Sequence, residues 1–388
     1  MRYHVNMKKN HPITKHHELP LTLLGQLTPR QFMTEYWQKK PLLVRGAIPG
    51  FTGLLDADEL AGLACEEDSQ ARLIMETKAG WQLEQGPFEE KRFSKLPERN
   101  WTLLVQGLNH HLPEGRDLLR QFDFIPHARL DDLMVSYAPD GGGVGPHFDS
   151  YDVFLLQGMG RRIWRVSEQQ DLTLVKGAPL RILQNFHTDQ EWTLEAGDTL
   201  YLPPHVAHWG IALEDCMTYS IGFRAPSAQE LGTEFLSFLQ EKCVLEGMYQ
   251  DPALEPQRHA AKIGAAMLDQ VISMLSGIKW TRADVAQFLG QYLSEPKPHV
   301  VFDPPRAISL AAFKKRLEKG GIALSLKSQM LFHQHHYFMN GEMVNLPHSS
   351  EPIMRRLADT KRISSGIYTD MITVQQLHEW YLAGYLEF

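Results

Sequence analysis

The segment GGGVGPHFDSYDVFLLQG places an imidazole, His147, two residues before a carboxylate, Asp149, behind a run of glycines. On an extended strand, residues i and i+2 project from one face, so the two side chains would meet near a shared point. A surface histidine beside a solvated acid has the same signature, so a third group is needed. The segment GDTLYLPP supplies its setting: an acidic turn, an apolar strand and a rigid double proline lead to His208, far along the chain. Two imidazoles and one carboxylate on one side of an ion leave the opposite positions open, which is the ligand set of non-haem iron(II) oxygenases. Zinc is more often closed by a fourth ligand or held by thiolates. The three cysteines, Cys65, Cys216 and Cys243, stand far apart in no CxxC spacing.

These residues need strands to position them. From about Leu130 to Arg224 the chain runs through LMVSYAP, DVFLLQG, RIWRV, EWTLEAGDTLYLPP and MTYSIGF, punctuated by Gly, Pro and Asp clusters. That pattern predicts an antiparallel sandwich or barrel. Upstream, Thr28-Pro29-Arg30-Gln31 reads as a capping box with proline at the first helical position, opening a helix through Phe32, Tyr36 and Trp37 that Pro41 ends. Leu42-Leu43-Val44 reads as a short buried strand stopped by Gly46.

After Pro226 the apolar period becomes helical. Leu231, Phe235, Phe238 and Leu239 form one stripe, and Ile263, Met267, Val271, Met274 and Ile278 another. They suit either two core helices or an interface between subunits. Pro296, Pro298, Pro304 and Pro305 bracket a linker. Beyond it, a helix over Leu310 to Leu317, two strands turning at Asn340-Gly341, and helices near Ile353 to Leu357 and Val374 to Leu382 are similar to a small winged-helix module. The expected divisions are 1–227, 228–297 and 298–388. The run Gly141 to Gly145 lacks a GK[ST] ending and precedes a strand, so it serves close backbone approach and positive φ rather than phosphate binding. His333, His335 and His336, with alternate members on a predicted strand, read as exposed tail chemistry.

Two spacings carry a family resemblance. Gly141, five residues and then His147-Phe148-Asp149 is similar to the first cupin motif with aspartate in place of its second histidine. Gly197, five residues, Pro203 and then His208 is similar to the second, except that His205 stands where that motif prefers glycine. With GRRIWRV and the N-terminal YWQKKPLLVRG, the chain resembles the JmjC oxygenases over about residues 20 to 230, and among them the bacterial ribosomal oxygenases. The likeness extends more weakly to the tail. It implies a mainly β fold with helices, in which a double-stranded β-helix core precedes a helical dimerisation segment and a winged helix.

The resemblance further implies iron(II) held by His147, Asp149 and His208, with 2-oxoglutarate as cosubstrate and O2 as oxidant. A basic residue fifteen positions after the first histidine of such enzymes makes Arg162 the cation for the distal carboxylate of 2-oxoglutarate, by two-pronged binding. Arg161 should then point the other way, unless both are solvated hairpin residues. Ser220 or Tyr219, on the strand after His208, could assist with a hydroxyl. Asp152 could pair with a basic substrate side chain or cap a loop, and Tyr137 could line the substrate pocket or belong to the core. The implied reaction is hydroxylation of an arginine side chain of a large-subunit ribosomal protein, with succinate and CO2 as co-products. A ribosomal histidine is the target in eukaryotic relatives, and the lack of a long basic leader of nuclear type selects the bacterial reading. A homodimer is implied as well.

Bulk properties bound the alternatives. The 388 residues exceed one ordinary core. A net charge of -7, with no long run of like charges, argues against a strong grip on nucleic acid or anionic membrane. It suits attraction of a basic ribosomal protein. Lys314, Lys315, Arg316 and Lys319 share one helix, which keeps open a cupin-type regulator binding nucleic acid through the winged helix, but Glu318, Glu379 and Glu387 dilute that module. A non-oxidative cupin isomerase is a further alternative. Neither MRYHVNMKKNHPITKHHELP nor any later stretch has the apolar run of a leader or a membrane span, and the sparse cysteines fit a cytoplasmic setting.

Overall fold

The computed structural model describes residues 18–366 and 370–388. Most of the N-terminal segment read above for a leader lies outside them. The chain divides into two units, one running to Ala225 together with Pro298–Phe302, the other made of Pro226–Lys297 and Asp303–Phe388.

The first unit opens with helix α1 (Pro29–Glu35), started by the expected box: Thr28 accepts from the Gln31 amide and Gln31 returns the bond to the Thr28 amide. Strand β1 (Leu42–Val44) and helix α2 (Ala57–Leu63) follow. Next come β2 (Ala71–Thr77), β3 (Gly80–Gln85), α3 (Glu90–Phe93), β4 (Trp101–Val105) and α4 (Pro113–Leu119). The β-rich stretch then supplies β5 (Leu130–Ala138), β6 (Val153–Met159), β7 (Arg162–Ser167), β8 (Gln190–Leu194), β9 (Thr199–Leu202), β10 (Ala207–Ala212) and β11 (Cys216–Phe223). Eight strands pair in the order β1-β9-β6-β11-β5-β4-β2-β3, and three more in the order β10-β7-β8. The pairings are antiparallel throughout.

Strict alternation along the large sheet separates its two faces. Leu73, Leu103, Val105, Leu133, Val135, Phe154, Leu156, Tyr219 and Ile221 pack with Leu24, Phe32, Leu60, Leu118 and Phe122 in the main apolar core. Their neighbours in sequence, among them Arg72, Thr102, Leu104, Asp132, Met134, Ser136, Leu155, Thr218 and Ser220, face a cavity on the other side.

Asp152 belongs to the core side of this arrangement. Its carboxylate is buried and accepts hydrogen bonds from the Tyr201 hydroxyl (2.6 Å), Gln38 Nε2 (2.9 Å) and Arg129 Nη2 (3.3 Å). Burial and Asp152 together hold the Tyr201 phenol well above its ordinary range, so it remains a donor. Asp152 therefore ties the segment after α1 to β9, and the expectation that it meets a substrate side chain is corrected. A carboxylate completely enclosed with three donors has no room for a fourth.

The second unit contains α5 (Ala228–Lys242), α6 (Ala265–Leu275), α7 (Arg282–Ser294) and α8 (Leu310–Gly320). It continues through β12 (Ile322–Leu324), β13 (Met330–His333), β14 (His336–Met339), β15 (Glu342–Val344), α9 (Glu351–Thr360), β16 (Arg362–Ile363), α10 (Met371–Leu382) and β17 (Leu386–Glu387). The expected hairpin at Asn340-Gly341 joins β14 to β15, with both residues at positive φ. A second, unexpected hairpin turns at Gln334-His335, so His333 and His336 pair across β13 and β14 instead of alternating along one strand. Helix α7 packs on this sheet: a Cβ on Gly290 would lie 2.3 Å from the Phe338 ring. Where a boundary at 297/298 was expected, α7 thus shares its unit with the strands of the winged helix. Of the second stripe, Met267 stands exposed on α6, which buries none of its residues.

Removing the Asp152 side chain leaves the Tyr201 hydroxyl without its acceptor inside the core. We expect Asp152→Ala to cost roughly 3–5 kcal/mol, read as a lower midpoint in urea denaturation. An unchanged midpoint with weakened substrate binding would return Asp152 to a binding role.

Candidate metal centre and cavity

His147 and His208 come together through the backbone. They form an isolated antiparallel bridge, His147 N–H donating to His208 O at 2.9 Å and His208 N–H to His147 O at 2.8 Å. Close approach depends on glycine: a Cβ on Gly143 would sit 2.3 Å from the Gly210 carbonyl oxygen. Gly141 and Gly145 take positive φ, as the glycine run suggested. The imidazole rings stand 4.2 Å apart at 61°. Asp149 follows His147 in extended chain and brings Oδ2 to 3.6 Å from His208 Nε2. One ligand-type atom from each of the three lies within 4.8 Å of the others.

The hydrogen bonds of the two rings decide what they can offer. His147 Nδ1 lies 2.9 Å from Gly145 O, and His208 Nδ1 2.9 Å from Val206 O. A carbonyl only accepts, so each Nδ1 carries the proton and each Nε2 presents a lone pair. Backbone carbonyls commonly fix metal-ligating imidazoles in this tautomer. With bonds of about 2.1 Å, cis ligands sit about 3 Å apart, and the Asp149–His208 pair at 3.6 Å needs only a small side-chain movement to reach that. The donor set therefore fits a divalent first-row metal with open positions on the cavity side. Burial, reinforced by His147, pushes the His208 imidazole down to about 4, which keeps it neutral and able to ligate.

The cavity beside these groups has a volume of about 840 Å³. Arg162 enters it from β7, 5% exposed, with Nε and Nη2 buried and no acceptor within hydrogen-bond reach. A buried cation with unused donors marks a place for an anion. Arg161 points away, as expected, and pairs with Glu214 at 2.9 Å on the surface. Ser220 lines the cavity; Tyr219 does not. The Tyr219 hydroxyl is in the core, accepting from the Leu54 amide at 2.7 Å, and its ring packs on Phe51. Tyr137 likewise lies on the far face of β5, against Trp101. Both tyrosines are removed from the site by the two-residue period of their strands.

His205 is exposed, at positive φ, and belongs to neither histidine cluster among the described residues. His335 joins His348 around Glu351 Oε1, at 2.7 and 2.6 Å, while Arg355 holds the other oxygen at 3.3 Å. That cluster satisfies itself by hydrogen bonding. Several cavity residues escaped the sequence reading: Arg72, Gln85, Gln106, Asp131, Asp132 and Tyr151. The signal for Asp132 was its parity with Ser136 on one strand, and for Arg72 its place in the otherwise apolar run ARLIME.

Residues 117–231 match the JmjC domain family, and residues 277–387 match the ROXA-like winged helix. The chain is 34% identical over 344 residues to the ribosomal protein uL16 3-hydroxylase of Escherichia coli, covering 88% of this chain and 91% of that protein. It is 41% identical over 210 residues to a probable ribosomal oxygenase of Haemophilus influenzae, covering 53% and 52%. Of solved structures, E. coli ycfD superposes with a TM-score of 0.83 at 32% identity, covering 93% of this chain and 98% of that one. The same E. coli protein in complex with cobalt and 2-oxoglutarate superposes at 0.81 and 32% identity, covering 95% and 99%.

A proton equilibrium at the cluster gives a test that needs no substrate. The unfolded chain takes up the His208 proton near pH 6.5, the folded one only near 4. Between these values the unfolded state binds more protons, so stability falls as pH falls through that window. We expect metal-free protein to lose roughly 3 kcal/mol of His208-dependent stability over it. Chelator-treated protein melted at stepped pH, beside His208→Gln, measures this. Parallel curves for the two proteins would show that His208 is not buried neutral.

Proposed function

The chain belongs to the JmjC-domain ribosomal oxygenases, 2-oxoglutarate-dependent dioxygenases that use iron(II) and O2, and on that premise we propose that it hydroxylates an arginine side chain of a large-subunit ribosomal protein. The observation that carries this reading is the position of Asp132. The carboxylate of Asp132, a residue only 7% exposed, lines the same cavity as His147, Asp149 and His208, while the neighbouring Asp131 pairs with Arg224 at 3.4 Å. A carboxylate on the cavity wall suits a guanidinium, which offers several fixed donors and stays charged. A neutral imidazole needs no such counter-charge, so the arginine target is favoured over ribosomal histidine. The name of the E. coli relative specifies a 3-hydroxylase of uL16. The corresponding carbon here is C-3 of the arginine.

Bound iron(II), with 2-oxoglutarate and O2, supplies an oxidant able to hydroxylate an unactivated C–H bond, releasing succinate and CO2. The chain's own residues do the positioning. His147, Asp149 and His208 would grip the ion from one side through two Nε2 atoms and a carboxylate oxygen. Arg162, across from them, would take the distal carboxylate of 2-oxoglutarate on its unpaired donors, with the Ser220 hydroxyl on the cavity wall nearby. The Trp164 ring lines the cavity with its centroid 5.8 Å from that of His208. Asp132 would hold the cationic end of the target side chain so that its methylene carbons pass the metal, which is catalysis by orientation.

Two further expectations belong to this proposal. A cytoplasmic setting follows from the ribosomal substrate. A homodimer through α5 and α6 is supported by exposed Leu268 (54%) and Ile272 (56%) on α6, beside exposed Val244 and Met248 in the segment between the helices. Replacing both α6 residues with glutamate should convert a dimer to a monomer in light scattering. A wild-type monomer would remove this expectation.

The substrate reading is tested by anaerobic loading with iron(II) and 2-oxoglutarate, then O2 and a ribosomal protein digest analysed by mass spectrometry. A one-oxygen increment on arginine is expected, absent in His147→Ala and Asp149→Ala. Arg162→Ala should raise the 2-oxoglutarate KM by tenfold or more, as expected for loss of a charge-assisted bond. Modification of histidine alone would overturn the arginine assignment.

A further inference from the structure

Arg72 has no part in the metal or cosubstrate chemistry, yet its guanidinium lines the same cavity. It stands on β2 opposite Gln85 of β3 and Leu104 of β4. Leu104 pairs in turn with Ser136, and Ser136 with Thr218. All five side chains line the cavity, so Arg72 occupies a row that crosses its floor toward the edge strand.

The donors of Arg72 are left over. Its Nε is buried without an acceptor, and the contact of Nη2 is Met134 Sδ at 3.7 Å, a weak acceptor. Arg92 nearby shows what a structural arginine looks like here: its Nε and Nη2 each bond Glu84 at 2.8 Å. Arg72 is half-buried, and burying its Nε–H without a partner costs stability that no acceptor among the described residues offsets.

An oxygen brought by a ligand would supply the missing partner. Arg162 already serves the compartment next to His208 and Trp164. Arg72 stands opposite Gln85, and the same cavity wall carries Gln106 and Asp132, polar groups suited to a peptide. A cationic target side chain is repelled by Arg72 and drawn to Asp132. What every incoming segment carries, whatever its sequence, is main-chain carbonyl oxygen. We propose that Arg72 is a positioning residue that donates to a main-chain carbonyl of the substrate segment flanking the hydroxylated residue. This rests on the reading that a ribosomal protein segment enters the cavity.

The test uses a ribosomal protein peptide that the wild-type enzyme hydroxylates. Arg72→Met, which keeps the stem and removes the donors, is expected to raise the peptide KM about tenfold or more, leave the 2-oxoglutarate KM unchanged, and lower the hydroxylation obtained per succinate released. Arg72→Lys should recover part of the loss. Should Arg72→Met fold poorly, the wild-type enzyme with a peptide whose flanking amides are replaced by esters, weaker acceptors, should show the same rise in KM, and Arg72→Lys a smaller one. An unchanged peptide KM, or an equal rise for 2-oxoglutarate, overturns the proposal. Failure of the wild type to hydroxylate any ribosomal peptide sinks the substrate reading and this inference with it.

Discussion

The paired backbone bonds between His147 and His208 are the constraint on which the site depends. They fix two imidazoles that the sequence sets far apart, and they do so without spending a side-chain atom. Because the bridge consumes only main chain, both rings remain available, and local carbonyls then choose their tautomers. Asp149 needs no separate anchor, since extended chain carries it to the same point. A side chain on Gly143 would push the two segments apart at the neighbouring position. The glycine run is therefore part of the ligand geometry even though it offers no ligand.

The large sheet works as a partition. On one face β11 contributes Met217, Tyr219, Ile221 and Phe223 to the packed core, and on the other Thr218, Ser220 and Gly222 to the cavity. Stability and chemistry are thus allotted to alternate residues of the same strands. The arrangement also explains how this unit tolerates unpaired polar atoms at Arg162 and Arg72. The cost of those groups is borne by a large apolar core that a ligand never touches.

Much of this was legible in the residues. The capping box at Thr28, the strand content between Leu130 and Arg224 and the outward turn of Arg161 follow from local spacing, whereas the metal-type triad needed two distant motifs and the family resemblance to join His208 to His147 and Asp149. Tyr219, Tyr137 and Asp152 were placed less well for one reason. Strand β11 does alternate, Met217, Tyr219, Ile221 and Phe223 against Thr218, Ser220 and Gly222, but both of its faces are buried, and a tyrosine hydroxyl suits a polar cavity as well as a core. Tyr137 faces the same difficulty on β5, where the second face is a cavity rather than solvent. Asp152 needed partners from Gln38 and Arg129, pairings that no local pattern announces. The turn at Gln334-His335 lacks glycine and was passed over, whereas Asn340-Gly341 declares itself.

The distribution of charge in the cavity carries the argument one step further. Arg162 lies with the metal-type ligands, Asp131 and Asp132 stand on β5, and Arg72 lies beyond them toward the edge strand. On the proposed reading, a ligand with one anionic end would meet Arg162, and a cationic side chain would meet Asp132. Neither can exchange places without meeting like charge, at a cost that grows as water is excluded. On that reading the cavity would sort a small dicarboxylate from a basic side chain by polarity before any fine fit is made. This sorting requires that Arg72 of β2 and Asp132 of β5 share a face, which the antiparallel register through β4 secures, and that Arg162 of the smaller sheet line the same cavity.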